Sequence, residues 1–205
     1  MANKPKLTFK IINSSENNYC IQINDKIAKT PNGNLIELPT LKLAKIILKD
    51  FQSKKSKMLA NIVSPVRITN TAIDKLVTSN YAYIEQLSAY LNSDVVCYFS
   101  YSPKDLVKKQ NKNWLPMIKF MQDEYNINIL YTSEISAISQ PKDSLAKLKK
   151  ILKSKNCFEL SAIGVLVQLT NSIIISLALV NDKINAKDAY EISNLEEIYQ
   201  SSFWG

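Results

Sequence analysis

The sequence predicts an α+β protein: a small N-terminal antiparallel sheet with a covering helix, and a mainly helical domain after it. Three observations carry this expectation. Through residues 7–38 apolar and polar residues alternate, the period of a half-buried strand. At Pro39-Thr40 the apolar spacing changes to threes and fours, the period of an amphipathic helix. From about Asn80 onward that helical period dominates. The shifts place a domain boundary after Lys57, giving an α+β domain over 1–57 and a helical domain over 58–205, with 58–80 able to pack with either. With 205 residues, 46% of them apolar and 21% charged, the chain can bury a core and reads as globular.

Leu7-Phe9-Ile11 and Tyr19-Ile21-Ile23 form the first two strands. Asn24-Asp25-Lys26 supplies a tight turn, after which Ile27 to Lys29 returns. Pro31-Asn32-Gly33-Asn34 is a stronger turn signal, because Asn-Gly tolerates the positive φ angles of tight hairpins, and Leu35 to Leu38 follows as a short strand. Thr40 caps a helix whose apolar positions Leu41, Ala44, Ile47, Leu48 and Phe51 cover the sheet. A lysine-rich connection, Ser53 to Lys57, comes next, and Asn70 reads as the cap of a following helix. Ile84, Leu87, Ser88 and Leu91 line another helix; Pro103 opens the next, and Asn113-Trp114 begins a further one to about Tyr125. Ile127 to Tyr131 reads as a short strand. Gln140-Pro141 precedes a lysine-faced helix from Ser144 to Ser154. Cys157 to Val180 reads as two buried helices, or one bent near Thr170-Asn171. Asn185 caps the last helix, with the stripe Ala189, Ile192, Leu195, Tyr199 and Phe203.

Composition excludes more chemistry than it suggests. There is no histidine, so imidazole acid/base steps, histidine-activated nucleophiles and imidazole metal ligands are all absent. Gly33, Gly164 and Gly205 are too dispersed for a phosphate-cradling loop. Cys20, Cys97 and Cys157 have no paired spacing and suggest reduced thiols in a cytosol-like compartment, with Cys97 an inert core thiol. The N-terminus carries no signal-peptide core and no transit-peptide pattern. The apolar run Ile163 to Val180 is interrupted by Gln168, Thr170, Asn171 and Ser172, short of the roughly 18 or more unbroken apolar residues of a membrane span. Asp123-Glu124 and Glu196-Glu197 are adjacent pairs whose members point in different directions on a helix, so neither is a preset acid/base dyad. A hydrolase would need carboxylates converging from distant positions. The sequence therefore assigns no catalytic residue, no metal site and no cofactor.

The charge balance is 26 Lys+Arg against 18 Asp+Glu, a net +8, but Arg67 is the only arginine. The lysines gather as Lys54-Lys55-Lys57, Lys108-Lys109-Lys112 and Lys147-Lys149-Lys150-Lys153-Lys155. The last group lies opposite Leu145, Leu148, Ile151 and Leu152, as on a solvated helix face. A basic nucleic-acid-binding module is the alternative reading; it would lack the guanidinium forks that favour phosphate and base contacts.

An ordered series of segments adds to this. Lys29-Thr30-Pro31 and Leu38-Pro39-Thr40 are followed by Arg67-Ile68-Thr69-Asn70-Thr71-Ala72-Ile73-Asp74 and Ser93-Asp94-Val95-Val96-Cys97-Tyr98. Pro103, Leu106, Gln110 and Trp114-Leu115-Pro116 come next, and Leu195-Glu196-Glu197-Ile198-Tyr199-Gln200 and Trp204-Gly205 close the series. From about residue 18 to the end the chain resembles the assembly chaperones of the F-type ATP synthase catalytic headpiece. Relatives in that family bind the unassembled alpha subunit. The resemblance implies a C-terminal orthogonal helical bundle, no catalytic activity, and a chaperone, monomeric when free, that shields the alpha subunit's interface; the lack of a phosphate-cradling loop makes it ATP-independent. It also implies no specific nucleic acid, no stable membrane insertion, and a bacterial cytoplasmic or mitochondrial matrix setting. Partner contact is expected at Glu197, Glu196, Gln200 and Trp204; Arg67, Asn70, Asp74 and Trp114 are expected to be structural. The chain departs from the family at Leu115 and Ile198, where relatives carry acidic residues, and at Gly205, past which relatives continue.

Overall fold

The computed structural model describes residues 7–15, 18–53 and 64–204, apart from the side chains of Ser15 and Trp204. The Lys54-Lys55-Lys57 cluster and Gly205 lie outside the described residues. Among the described residues four strands form one sheet: β1 (Phe9–Ser15), β2 (Asn18–Ile23), β3 (Lys26–Ile27) and β4 (Glu37–Leu38). β1 and β2 pair antiparallel, with Ile11 opposite Ile21 and Ile12 opposite Cys20. Asn24 and Asp25 take φ of 47° and 62°, the left-handed values a two-residue hairpin needs, and Ile23 pairs with Lys26 across them. β4 also pairs with β2, setting Leu38 opposite Tyr19.

Between β3 and β4 the chain throws out a small hairpin. Lys29 bridges Leu35, the Gly33 N–H donates to the Thr30 carbonyl at 2.9 Å, and the Thr30 N–H donates to the Asn34 carbonyl at 2.8 Å. Only Gly33, at φ +87°, uses the left-handed region; Asn32 does not. The tip is thus a type I turn closed by a glycine bulge.

Helix α1 (Leu41–Gln52) begins as expected, with the Thr40 hydroxyl accepting from the Leu43 N–H at 3.2 Å. Its Ala44 and Ile47 are fully buried, and the helix packs on β1, β2 and β4, where Cys20, Ile21 and Leu38 are buried as well. Burying Ile47 alone contributes about 1.5–3 kcal/mol.

Helix α2 (Pro65–Thr71) corrects the expectation for Asn70. The cap is Ser64, whose hydroxyl accepts from the Arg67 N–H at 3.3 Å, with Pro65 preset for the first turn. Asn70 lies inside the helix, which runs on through one π turn, Ala72–Leu76, with the Val77 N–H reaching the Ala72 carbonyl at 3.1 Å. Asp50 of α1 accepts from the Val66 N–H at 2.9 Å, and Asp74 reaches the hairpin tip. Those anchors hold 64–76 to α1 and the hairpin, and the chain divides into units 1–80 and 81–205, so the stretch 64–80, open to either side in the sequence, packs with the first unit.

The second unit is a bundle of seven helices: α3 (Tyr81–Ala89), α4 (Lys104–Tyr125), α5 (Lys142–Lys153), α6 (Cys157–Thr170), α7 (Ile173–Val180), α8 (Ala186–Ser193) and α9 (Leu195–Trp204). α7 is its centre: every residue from Ile173 to Ala178 is buried, and the helix packs on α4, α6 and α8. Asn171, at φ 50°, ends α6, and Ser172 starts α7 by accepting from the Ile175 N–H at 2.9 Å, so Cys157 to Val180 is two helices. None of the described helices is long and apolar enough to cross a membrane. Capping boxes open α6 (Asn156 with Glu159) and α8 (Asn185 with Asp188).

Three expectations in this unit are corrected. Lys104–Tyr125 is one helix, where two are expected from the sequence: the buried stripe Leu106, Gln110, Trp114, Met117, Met121 runs unbroken past Pro116. Packing along that stripe outweighs the one ladder bond the proline removes. Ile127 to Tyr131 is irregular; its neighbour Thr132 makes one isolated parallel bridge to Tyr98. The terminal helix is split at Asn194 into α8 and α9, and its stripe fades, since Leu195 is buried, Tyr199 half-buried and Phe203 68% exposed.

Candidate functional site

Adjacent residues on a helix point about 100° apart, and this separates the two carboxylates at the start of α9. Glu196 turns inward: its Oε1 accepts from the Gln110 amide at 2.6 Å and the Ser100 hydroxyl at 3.1 Å. Gln110 is fully buried, and its Oε1 accepts from the Ser100 N–H at 2.9 Å. Glu196 therefore joins α9 to α4 and to the segment after Tyr98. Glu197 points outward, exposed, with no hydrogen bond or ion pair among the described residues. Gln200, one turn on, is exposed as well. Beside them Ile198 and Phe203 are 41% and 68% exposed. Lys109 lies over the Tyr199 ring at 5.1 Å from its centroid, and that ring meets Phe203 edge-on at 5.0 Å. An unpaired carboxylate, an amide and two exposed apolar side chains thus share one short helix. The Trp204 side chain lies outside the described residues.

The expected structural residues fall in both units. Trp114 is wholly buried; its indole N–H donates to the Ile192 carbonyl at 3.0 Å and its ring meets Phe99 edge-on at 5.3 Å. Asp74 binds the hairpin tip, accepting from the Thr30 hydroxyl (2.6 Å), the Asn34 amide (2.8 Å) and the Asn32 N–H (3.4 Å). Arg67, Asn70 and Asp74 line a small cavity of about 290 Å³ beside that tip. Desolvation is the largest single influence on Asp74 and raises its pKa, yet the bonds from Thr30, Asn34 and Asn32 together outweigh it and hold the carboxyl below its ordinary value. A carboxyl depressed in the fold contributes stability above its unfolded pKa and loses it as pH falls through the folded value. Asp74→Ala is accordingly expected to release the Asn34 amide and the hairpin tip, read as faster hydrogen exchange at Asn32, Gly33 and Asn34. Unchanged exchange there at pH 7 would contradict the clamp.

One buried group is not singled out by sequence reasoning. Asp94 is wholly buried, accepting from Val96 N–H at 3.2 Å and Ile174 N–H at 3.0 Å, and so pins a one-turn helix at Val95–Cys97 to the start of α7. Burial pushes its pKa up to about 6, against hydrogen bonds from Ser172, Ile174, Val96 and Ile173 that pull it down. In the sequence it stands as a lone carboxylate directly before the apolar run Val95-Val96-Cys97, within one segment of the ordered series. Burial, and then the charge of Asp94, also raise the Cys97 thiol far above its ordinary range, as suits an unreactive cysteine. The lysine cluster over 147–155 is partly committed: Lys149 pairs with Glu85 at 2.6 Å, Lys147 with Asp143 at 2.7 Å, and Lys155, just past α5, with Glu159 at 3.8 Å. Among the described residues no group of three or more Cys, Asp or Glu side chains is placed to hold a metal ion.

Residues 7–122, more than half of the chain, match the family model described as ATP12 chaperone protein. The chain belongs to the ATP12 chaperone family. It is an assembly chaperone of ATP synthase and not an enzyme. It is 25% identical to the mitochondrial protein atp12 of Schizosaccharomyces pombe, over 90% of this chain and 68% of that one. The crystal structure of Atp12 from Paracoccus denitrificans superposes with a TM-score of 0.84 at 26% identity, covering 97% of this chain and 84% of its own. A protein of Agrobacterium tumefaciens, 23% identical, shares the fold at a TM-score of 0.85 over 96% of this chain and 74% of that one. The α+β sheet with its helical bundle is the ATP12 fold. The ATP12 family model ends within α4, so Glu196 and Glu197 lie outside the residues it matches.

Proposed function

We propose that this ATP12-family chaperone binds the unassembled alpha subunit of F-type ATP synthase and shields its subunit interface until the headpiece forms, with the exposed face of α9 as a contact. The observation that carries the reading is Glu197, an exposed carboxylate with no partner among the described residues, flanked by exposed Ile198, Gln200 and Phe203 on a chain of the right family. Such a mixed apolar and acidic strip suits an apolar client surface rimmed by lysine or arginine. A free subunit exposes an apolar interface that aggregates until its partner arrives, and a holdase of modest affinity yields to the larger final interface. Glu196, engaged with Gln110 and Ser100, supports the strip and does not touch the client. The setting is the matrix for mitochondrial relatives and the cytoplasm for a bacterial chain.

Glu197→Gln keeps the side chain's size and removes its charge. It should leave stability within about 0.5 kcal/mol of wild type, as for other exposed sites, while weakening alpha-subunit binding at least about tenfold through loss of a charge pair. A pull-down with purified alpha subunit, run beside a thermal melt, checks both. Normal binding, or a melt far below wild type, would make the carboxylate idle or structural.

A further inference from the structure

Tyr98 and Thr132 form a single parallel bridge, after which the two backbones part. The Phe99 N–H donates to the Thr132 carbonyl at 2.7 Å and the Thr132 N–H to the Cys97 carbonyl at 2.9 Å. The next rung is missing, because the Glu134 N–H turns onto the Thr132 hydroxyl at 2.9 Å. As a result the Phe99 carbonyl and the Tyr101 N–H, which face this gap, make no hydrogen bond among the described residues. Between the parted backbones opens a groove of about 590 Å³, lined among others by Phe99, Tyr101, Val107, Asn111, Tyr131 and Glu134. Tyr101 is 82% exposed, Tyr131 53%, and the neighbouring Ile135 wholly so. Ser100, another lining residue, is held by its bonds with Gln110 and Glu196.

We propose that this groove takes an extended, apolar segment of the client polypeptide carrying a basic side chain, bound as an added strand. The inference rests on the chaperone reading above and names what the client presents. The unpaired Phe99 carbonyl and Tyr101 N–H on one wall call for a ligand with a free backbone, which an extended peptide supplies and a helix, whose backbone is already paired, does not. The aromatic walls call for apolar side chains. Glu134 is the one charged side chain lining the groove among the described residues, on a chain of net charge +8, so it favours a lysine or arginine. The same net charge disfavours a second copy of this chain.

The test places a benzoylphenylalanine photocrosslinker at Asn111, exposed on the groove wall, and a control at Gln168, exposed on α6. Each is irradiated in complex with free alpha subunit. A strong crosslink from Asn111 to an apolar, lysine- or arginine-bearing segment, absent from Gln168, is the expected result. Asn111→Trp, which fills the groove, and Glu134→Lys should each weaken binding at least about tenfold with unchanged melting temperature. If wild-type chain binds the alpha subunit but both variants bind normally and Asn111 gives no more crosslink than Gln168, the groove is not the site and the chaperone reading stands. A crosslink from Asn111 to a second copy of this chain also overturns the groove as a client site. Failure of wild type to bind the alpha subunit at all would overturn both readings.

Discussion

Trp114→Ala is expected to destabilise the helical unit by about 3–5 kcal/mol, the range for removing a fully packed large aromatic. Nothing of the indole reaches solvent, and it lies on the face of α4 that meets the core. Its N–H satisfies the Ile192 carbonyl at the end of α8, so truncation opens a cavity and strands a buried acceptor. Phe99 loses its edge-on neighbour at the same time. Trp114→Phe separates the contributions: it keeps most of the apolar volume, loses the hydrogen bond, and should cost less than half as much. Urea melts of the three proteins decide. An alanine variant within about 1 kcal/mol of wild type would mean that the bundle does not depend on this contact.

Asp94→Ala should cost about 3–5 kcal/mol at pH 4, because the N–H groups of Val96 and Ile174 are left buried without an acceptor. The sign of its pH dependence is the sharper test. Burial raises this carboxyl from the ordinary 3.8 to about 6. The fold therefore holds the proton more tightly than the unfolded chain does. The stability linked to Asp94 is full below the unfolded value and is lost as pH rises through about 6. About two pH units correspond to about 3 kcal/mol. The stability gap between wild type and Asp94→Ala should thus shrink by about 2 kcal/mol between pH 4 and pH 7.5. A gap that is constant, or that widens with pH, would show that Asp94 is not the raised carboxyl the geometry implies.

Features set by neighbours along the chain are legible in the sequence alone. Alternation marks β1 and β2, Asn24-Asp25 the first turn, Thr40 the start of α1 and Asn185 the start of α8, because each depends on residues a few positions apart. Features that depend on distant partners are not legible in this way. Pro116 gives a local reason to divide α4, yet the stripe from Leu106 to Met121 is held from outside the helix. The lysine run has the composition of a domain boundary, but the anchors binding α2 to the first unit, Asp50 and Asp74, act over spacings no local pattern reports. At the site, the helical step alone says that Glu196 and Glu197 diverge, and it cannot say which faces in. That is decided by Gln110 and Ser100, separated from Glu196 by 86 and 96 residues. The groove leaves no trace in the sequence for the same reason, since it exists only where the Tyr98–Thr132 bridge ends.

The most direct measurement mixes purified chain with free alpha subunit and, separately, with free beta subunit, and follows complex formation by native mass spectrometry before and after the other subunit is added. The account predicts a stable complex with the alpha subunit, none with the beta subunit, and release of the chaperone once the beta subunit joins the alpha subunit. Equal binding to both subunits, or a chaperone retained when they associate, would contradict it.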